Sequence, residues 1–145
     1  MKPKLVVAFQ KATTEHFGAV AKSLGLELRA IKPDVYELLS PTCRVVVMCG
    51  VGHRTDFIVT VEPRSRALLL AEEPHKFGLG VIARYYGESL GSTLPFERVI
   101  EAQDVHTEIQ MLAARTGTLC HRFLTGDMSD WQPLEAWFNK QPRAA

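Results

Sequence analysis

Cys49, His53 and Asp56 bracket a glycine turn, Cys49-Gly50-Val51-Gly52-His53-Arg54-Thr55-Asp56, and come nearest in type to an active-site set. A cysteine nucleophile needs a base within hydrogen-bond reach, and that base needs an acid to orient it. Adjacency across one turn seldom supplies this geometry, so Cys49 reads as a small strand residue and His53 as a loop polar group. The same pair, Cys49-x-x-x-His53, is half of a zinc site, without the second pair that tetrahedral coordination requires. Cys120 and His121 are adjacent, hence about 100° apart on a helix, and His16, His75 and His106 are scattered along the chain. Gly50-Val51-Gly52 is a lone G-x-G that does not open a helix after a strand, so it is no phosphate cradle. The expectation is therefore a non-enzyme, with no catalytic residue, cofactor or metal ligand set.

Charge points to a different kind of surface. Glu97, Glu101, Asp104 and Glu108 recur at steps of four, three and four, which is one acidic stripe on a helix. Such a stripe marks a solvated face or, in the sharper reading, a docking surface for a basic partner. With the hairpin tip (Val51, His53, Arg54), these four are the residues expected to touch a protein partner. Tyr85, Tyr86, Trp131 and Trp137 are aromatic anchors that core packing accounts for unless one is exposed.

The elements that position these groups follow from periodicity. The runs Val45–Met48 and Phe57–Val61 flank the glycine turn, and Phe57, Val59 and Val61 alternate with polar partners, as in a hairpin covered on one side. Phe9, Thr13, Phe17, Val20 and Leu24 form a helical stripe that Gly25 closes, predicting a helix over Lys4–Leu24, with Thr14 as a competing start. Val35–Leu39 is a strand after the Lys32-Pro33-Asp34 turn, Leu26–Ile31 a short extended run, and Ala67–Ala71 the last strand of the meander. Phe77, Val81, Ile82 and Tyr85 mark a short helix. Val105, Ile109, Leu112, Thr116, Leu119 and Phe123 continue one register past Gly117, predicting a single long helix from about Phe96 to Leu124. Ser129 with Gln132 reads as a capping box opening a last helix that buries Leu134, Trp137 and Phe138, and 141–145 as a frayed tail. The expected fold is α+β: a three- to four-stranded antiparallel meander with an N-terminal helix and C-terminal helices packed mainly on one face.

The 145 residues, 46% of them hydrophobic and 23% charged, suit one domain spanning 1–145. A net charge of +1 carries no global bias toward nucleic acid or anionic membrane, and neither is an expected partner. The apolar run Leu5–Phe9 is too short for a secretory signal, and no stretch approaches the ~18 apolar residues of a membrane span. Three cysteines without paired spacing point to reduced thiols and a cytoplasmic location.

The segments Phe17-Gly18-Ala19-Val20-Ala21-Lys22-Ser23-Leu24-Gly25-Leu26, Tyr36-Glu37-Leu38-Leu39-Ser40, Asp56-Phe57-Ile58-Val59-Thr60-Val61 and Leu124-Thr125-Gly126-Asp127-Met128-Ser129-Asp130-Trp131 lie in an order that resembles small bacterial α+β immunity proteins. These belong to polymorphic-toxin and contact-dependent inhibition systems. The likeness is one of layout over nearly the whole chain. It implies a stoichiometric protein that occludes a cognate toxin, with no catalytic residues to carry over. The chain departs from inhibitors of nucleic-acid-cleaving toxins, which are often strongly acidic. A pocket-bearing small-molecule domain or enzyme, and a self-associating module such as a homodimer, are the alternatives.

Overall fold

Pro3 opens the first helix, α1 (Pro3–Leu24), whose buried stripe is Leu5, Phe9, Ala12, Thr13, Phe17 and Ala21. A computed structural model of the chain describes residues 3–49, 56–65 and 75–142. The helix stops where the sequence says it should. Gly25 takes φ +68°, and the N–H groups of Leu26 and Gly25 return to the carbonyls of Ala21 and Lys22, a Schellman closure.

Among the described residues five strands follow: β1 (Glu27–Lys32), β2 (Val35–Leu39), β3 (Cys43–Cys49), β4 (Phe57–Pro63) and β5 (Phe77–Gly78). They form one sheet in chain order, every neighbour antiparallel. The fold is thus the expected α+β meander with one strand more than the three or four anticipated. The addition is β5, only two residues long, which pairs Phe77 with Val61 and Gly78 with Thr60. Two residues are too few to show a period of two in sequence. The expected strand Ala67–Ala71 lies outside the described residues.

Alternation splits the sheet into two faces. Tyr36, Leu38, Val45, Val47, Val59 and Val61 point into the core. There Phe9 of α1 stacks on Phe57 at 5.7 Å and meets the edge of Tyr36 at 5.8 Å. The opposite face carries an ionic ladder across four strands: Arg29, Glu37, Arg44 and Glu62. Glu37 is clamped between the Arg29 guanidinium and Arg44 Nε (2.6 Å), and Arg44 reaches on to Glu62 at 3.0 Å. The two guanidiniums, Arg29 foremost, hold the Glu37 carboxyl below its ordinary range.

After α2 (Leu79–Tyr85) the chain runs through an irregular stretch to α3 (Ala102–Leu119), α4 (His121–Leu124) and α5 (Trp131–Asn139). The single helix expected over Phe96–Leu124 is two. It begins six residues later than expected, because Asp104 turns back to accept the N–H of Glu101 at 2.8 Å and fixes the helix start there. It breaks at Cys120 rather than at Gly117. Gly117 stays helical where α3 lies on α1; a Cβ there would sit 3.7 Å from the Val20 side chain. The capping box expected from Ser129 and Gln132 does not form. Ser129 instead donates its N–H and hydroxyl to Asp127, and α5 starts one residue later, at Trp131.

Trp131 anchors α5 among Phe77 and Phe123, at 5.6 and 5.3 Å between ring centroids. Its indole N–H donates to the buried Glu135 carboxylate at 3.0 Å, which also meets His75 Nδ1 at 3.0 Å. Tyr85 packs edge-on against both Tyr86 and Trp137, as expected of core aromatics.

Candidate functional site

Helices α1 and α3 run side by side with their N-terminal ends together, and the groove between those ends is the candidate site. It encloses about 470 Å³ and is lined by Lys4, Val7, Ala8 and Lys11 from one helix and Gln103 and His106 from the other. Steps of three and four along α1 place its lining residues on one outward row. At the inner end His16 and His106 meet, Nε2 to Nε2 at 3.0 Å, with ring centroids 4.6 Å apart. Glu15 Oε2 lies 3.9 Å from the same His16 nitrogen.

The segment 92–101 leads into α3 at Ala102, the first α3 residue that lines the groove. Glu108 is almost fully buried, at 3% exposure. It accepts hydrogen bonds from the Thr93 N–H (2.7 Å), the Thr93 hydroxyl (2.9 Å) and the Ser92 hydroxyl (3.1 Å). At the other end of the segment Arg98 grips Asp104 with two N–H groups, at 2.6 and 2.7 Å. Leu94 and Ile100 turn inward, whereas Phe96 and Val99 turn outward at 79% and 68% exposure. The result is an apolar ledge on a backbone tied at both ends, flanked by the exposed Glu97 and Glu101.

Asp104 is held at about 2, chiefly by the Arg98 hydrogen bonds and next by the Glu101 N–H. A carboxyl depressed in the folded state stabilises that state above its ordinary value near ~4, and the contribution is lost as pH falls toward 2. An NMR titration is expected to show the Asp104 carboxyl charging with a midpoint near 2, and a midpoint near ~4 would mean the Arg98 clamp is not made in solution.

The four acidic residues read as one solvated stripe do not form one. Glu97 precedes the helix, Glu101 is its N-cap, Asp104 is engaged by Arg98, and Glu108 is buried. Helical projection at about 100° per residue contains the signal: it sets Glu108 within about 20° of Leu119, inside the apolar arc of α3. The hairpin tip residues Val51, His53 and Arg54 lie outside the described residues. Cys49 is buried, and burial first, then the charge of Asp34, pushes its thiol up to about 11, which favours the protonated form at neutral pH. Burial likewise raises Cys43 and Cys120. Asp56 accepts the N–H of Phe57 at 2.8 Å. Cys120 is buried and His121 exposed, so the two diverge as expected. His16 and His106 are the residues the spacing did not bring together, being 90 positions apart. The trace they leave is that His16 falls within the apolar arc of α1.

The architecture defines a small α+β domain with an antiparallel meander and one helix-covered face, and no helix among the described residues is long and apolar enough to cross a membrane. Comparison with protein-family models, curated proteins and solved structures finds no match to this chain.

Proposed function

We propose that the chain is a non-enzymatic protein-binding domain that docks through the 94–101 ledge. The resemblance in layout to immunity proteins supports a cognate bacterial toxin as its partner, and three cysteines without paired spacing support the cytoplasm as its place of action. The observation that carries this reading is the exposure of Phe96 and Val99 on a segment tied down by Glu108 and by the Arg98–Asp104 clamp. Exposed apolar anchors on a backbone already held in place bind with little further ordering cost, which is the character of interface hot spots. Glu97 and Glu101 beside them suit a partner whose apolar pocket has a basic rim. Three buried thiols with raised pKa give the reading further support over nucleophilic chemistry.

The test is affinity capture from the source cells with wild-type protein and with the Phe96→Ala/Val99→Ser double variant. Loss of two anchors is expected to weaken a near-stoichiometric partner by ~30-fold or more, and Glu97→Lys/Glu101→Lys to weaken it further at low salt. A partner captured equally by all three proteins would place the binding surface elsewhere. Self-association that the double variant abolishes would assign the ledge to a homodimer instead.

A further inference from the structure

The His16–His106–Glu15 cluster goes beyond protein docking, and we propose that it binds a divalent first-row transition ion of the zinc class. Two neutral imidazoles can face each other at 3.0 Å only if one donates N–H to the other's lone pair, or if both lone pairs point at a shared cation. The geometry favours the cation. Zinc-bound nitrogen lies at about 2.0–2.1 Å, so two such nitrogens 3.0 Å apart subtend about 94° at the ion. With the nitrogen about 1.15 Å from its ring centre, that arrangement puts the two centroids about 4.7 Å apart. The observed separation is 4.6 Å. Imidazoles sharing one proton along a common axis would have centroids about 5.3 Å apart, from the same nitrogen-to-centre distance.

Glu15 supplies the third donor. The candidate ligand atoms of Glu15, His16 and His106 all lie within 4.8 Å of one another. The Glu15 side chain is 60% exposed and so can swing the short way in, whereas the His16 ring, at 16%, is held by its surroundings. Two imidazoles and a carboxylate, with remaining positions open to water from the groove, match zinc, cobalt and nickel rather than magnesium or calcium, which take oxygen ligands. Lys4 and Lys11 also line the groove, and Glu15 is the group that offsets their charge at the ion. Because the two histidines sit on different helices, the ion would tie α1 to α3 beneath the groove.

The experiment is calorimetric titration of untagged protein with zinc chloride, repeated with His16→Gln, His106→Gln and Glu15→Gln. One zinc per chain is expected, lost or weakened more than ~100-fold in either histidine variant and about tenfold in Glu15→Gln. Cobalt should bind at the same site with visible ligand-field bands that His106→Gln removes, and magnesium should not compete. Circular dichroism checks each fold; should His16→Gln fail to fold, the surface change Glu15→Gln still carries the test. Absence of zinc binding to the wild-type chain, or binding unchanged in His106→Gln and Glu15→Gln, would overturn the proposal.

Discussion

Replacement of Trp131 by alanine is expected to remove about 4–5 kcal/mol of stability, a large share of the 5–15 kcal/mol typical of a domain this size. The ring is fully buried and contacts Phe77 and Phe123, one from β5 and one from α4, so its loss opens a cavity where three elements meet. A second cost comes from Glu135, whose buried carboxylate loses the indole N–H at 3.0 Å. A charged acceptor left short of a donor in the interior costs more than the hydrogen bond itself contributed. Trp131→Phe separates the two effects, because it keeps an aromatic in the cavity while removing the donor; a loss of about 2 kcal/mol is expected. Urea unfolding followed by circular dichroism measures both. A loss under about 1 kcal/mol for the alanine variant would mean that α5 is not packed as described.

Glu108→Ala is expected to cost about 2–3 kcal/mol and, more tellingly, to release the ledge. Hydrogen bonds to a charged group contribute about 1.5–3 kcal/mol each, but Ser92 and Thr93 are exposed enough to turn to water, which holds the total down. The conservative Glu108→Gln retains one acceptor oxygen and should lose roughly 1 kcal/mol. Thermal unfolding reads the stability change. Partner capture reads the functional one: it should fall in Glu108→Ala even though Glu108 itself is buried and cannot touch a partner. Equal capture would separate the binding surface from this segment.

Those two residues also show what was legible in the sequence. The α1 stripe and its Gly25 stop, the β3 and β4 runs and the one-sided alternation of β4 are local signals, and each element formed where its period placed it. Trp131 sits in the anticipated last helix, though its capping differs, because Asp127 rather than Ser129 gathers the local donors. The burial of Glu108 is hidden in the sequence because its residue type points to solvent while its position points to the core. A glutamate at a helical spacing from other acids looks solvated until a loop fifteen residues earlier brings it three donors, and no local pattern encodes that meeting. The start of α3 is masked in the sequence for a related reason. Glutamate is a poor N-cap by preference, so Glu101 blended into the run that precedes it. The histidine pair depends on which helix packs on which, and that is a tertiary fact. Only the presence of His16 on an apolar arc hinted that something must satisfy it.

Docking through Phe96 and Val99 requires that residues 92–101 be held in one conformation before any partner arrives. Hydrogen exchange of the free protein tests this directly at the amides of Thr93 and Leu94, which donate to Glu108 and to the Ser92 hydroxyl, and at that of Asp104, which donates to the Glu101 carbonyl. The expected result is protection of the Thr93 and Leu94 amides by about two orders of magnitude over an unstructured chain, lost in Glu108→Ala while the α3 core amides keep theirs. Exchange at the unstructured rate in the wild-type protein would contradict it, and with it the reading of Phe96 and Val99 as presented anchors.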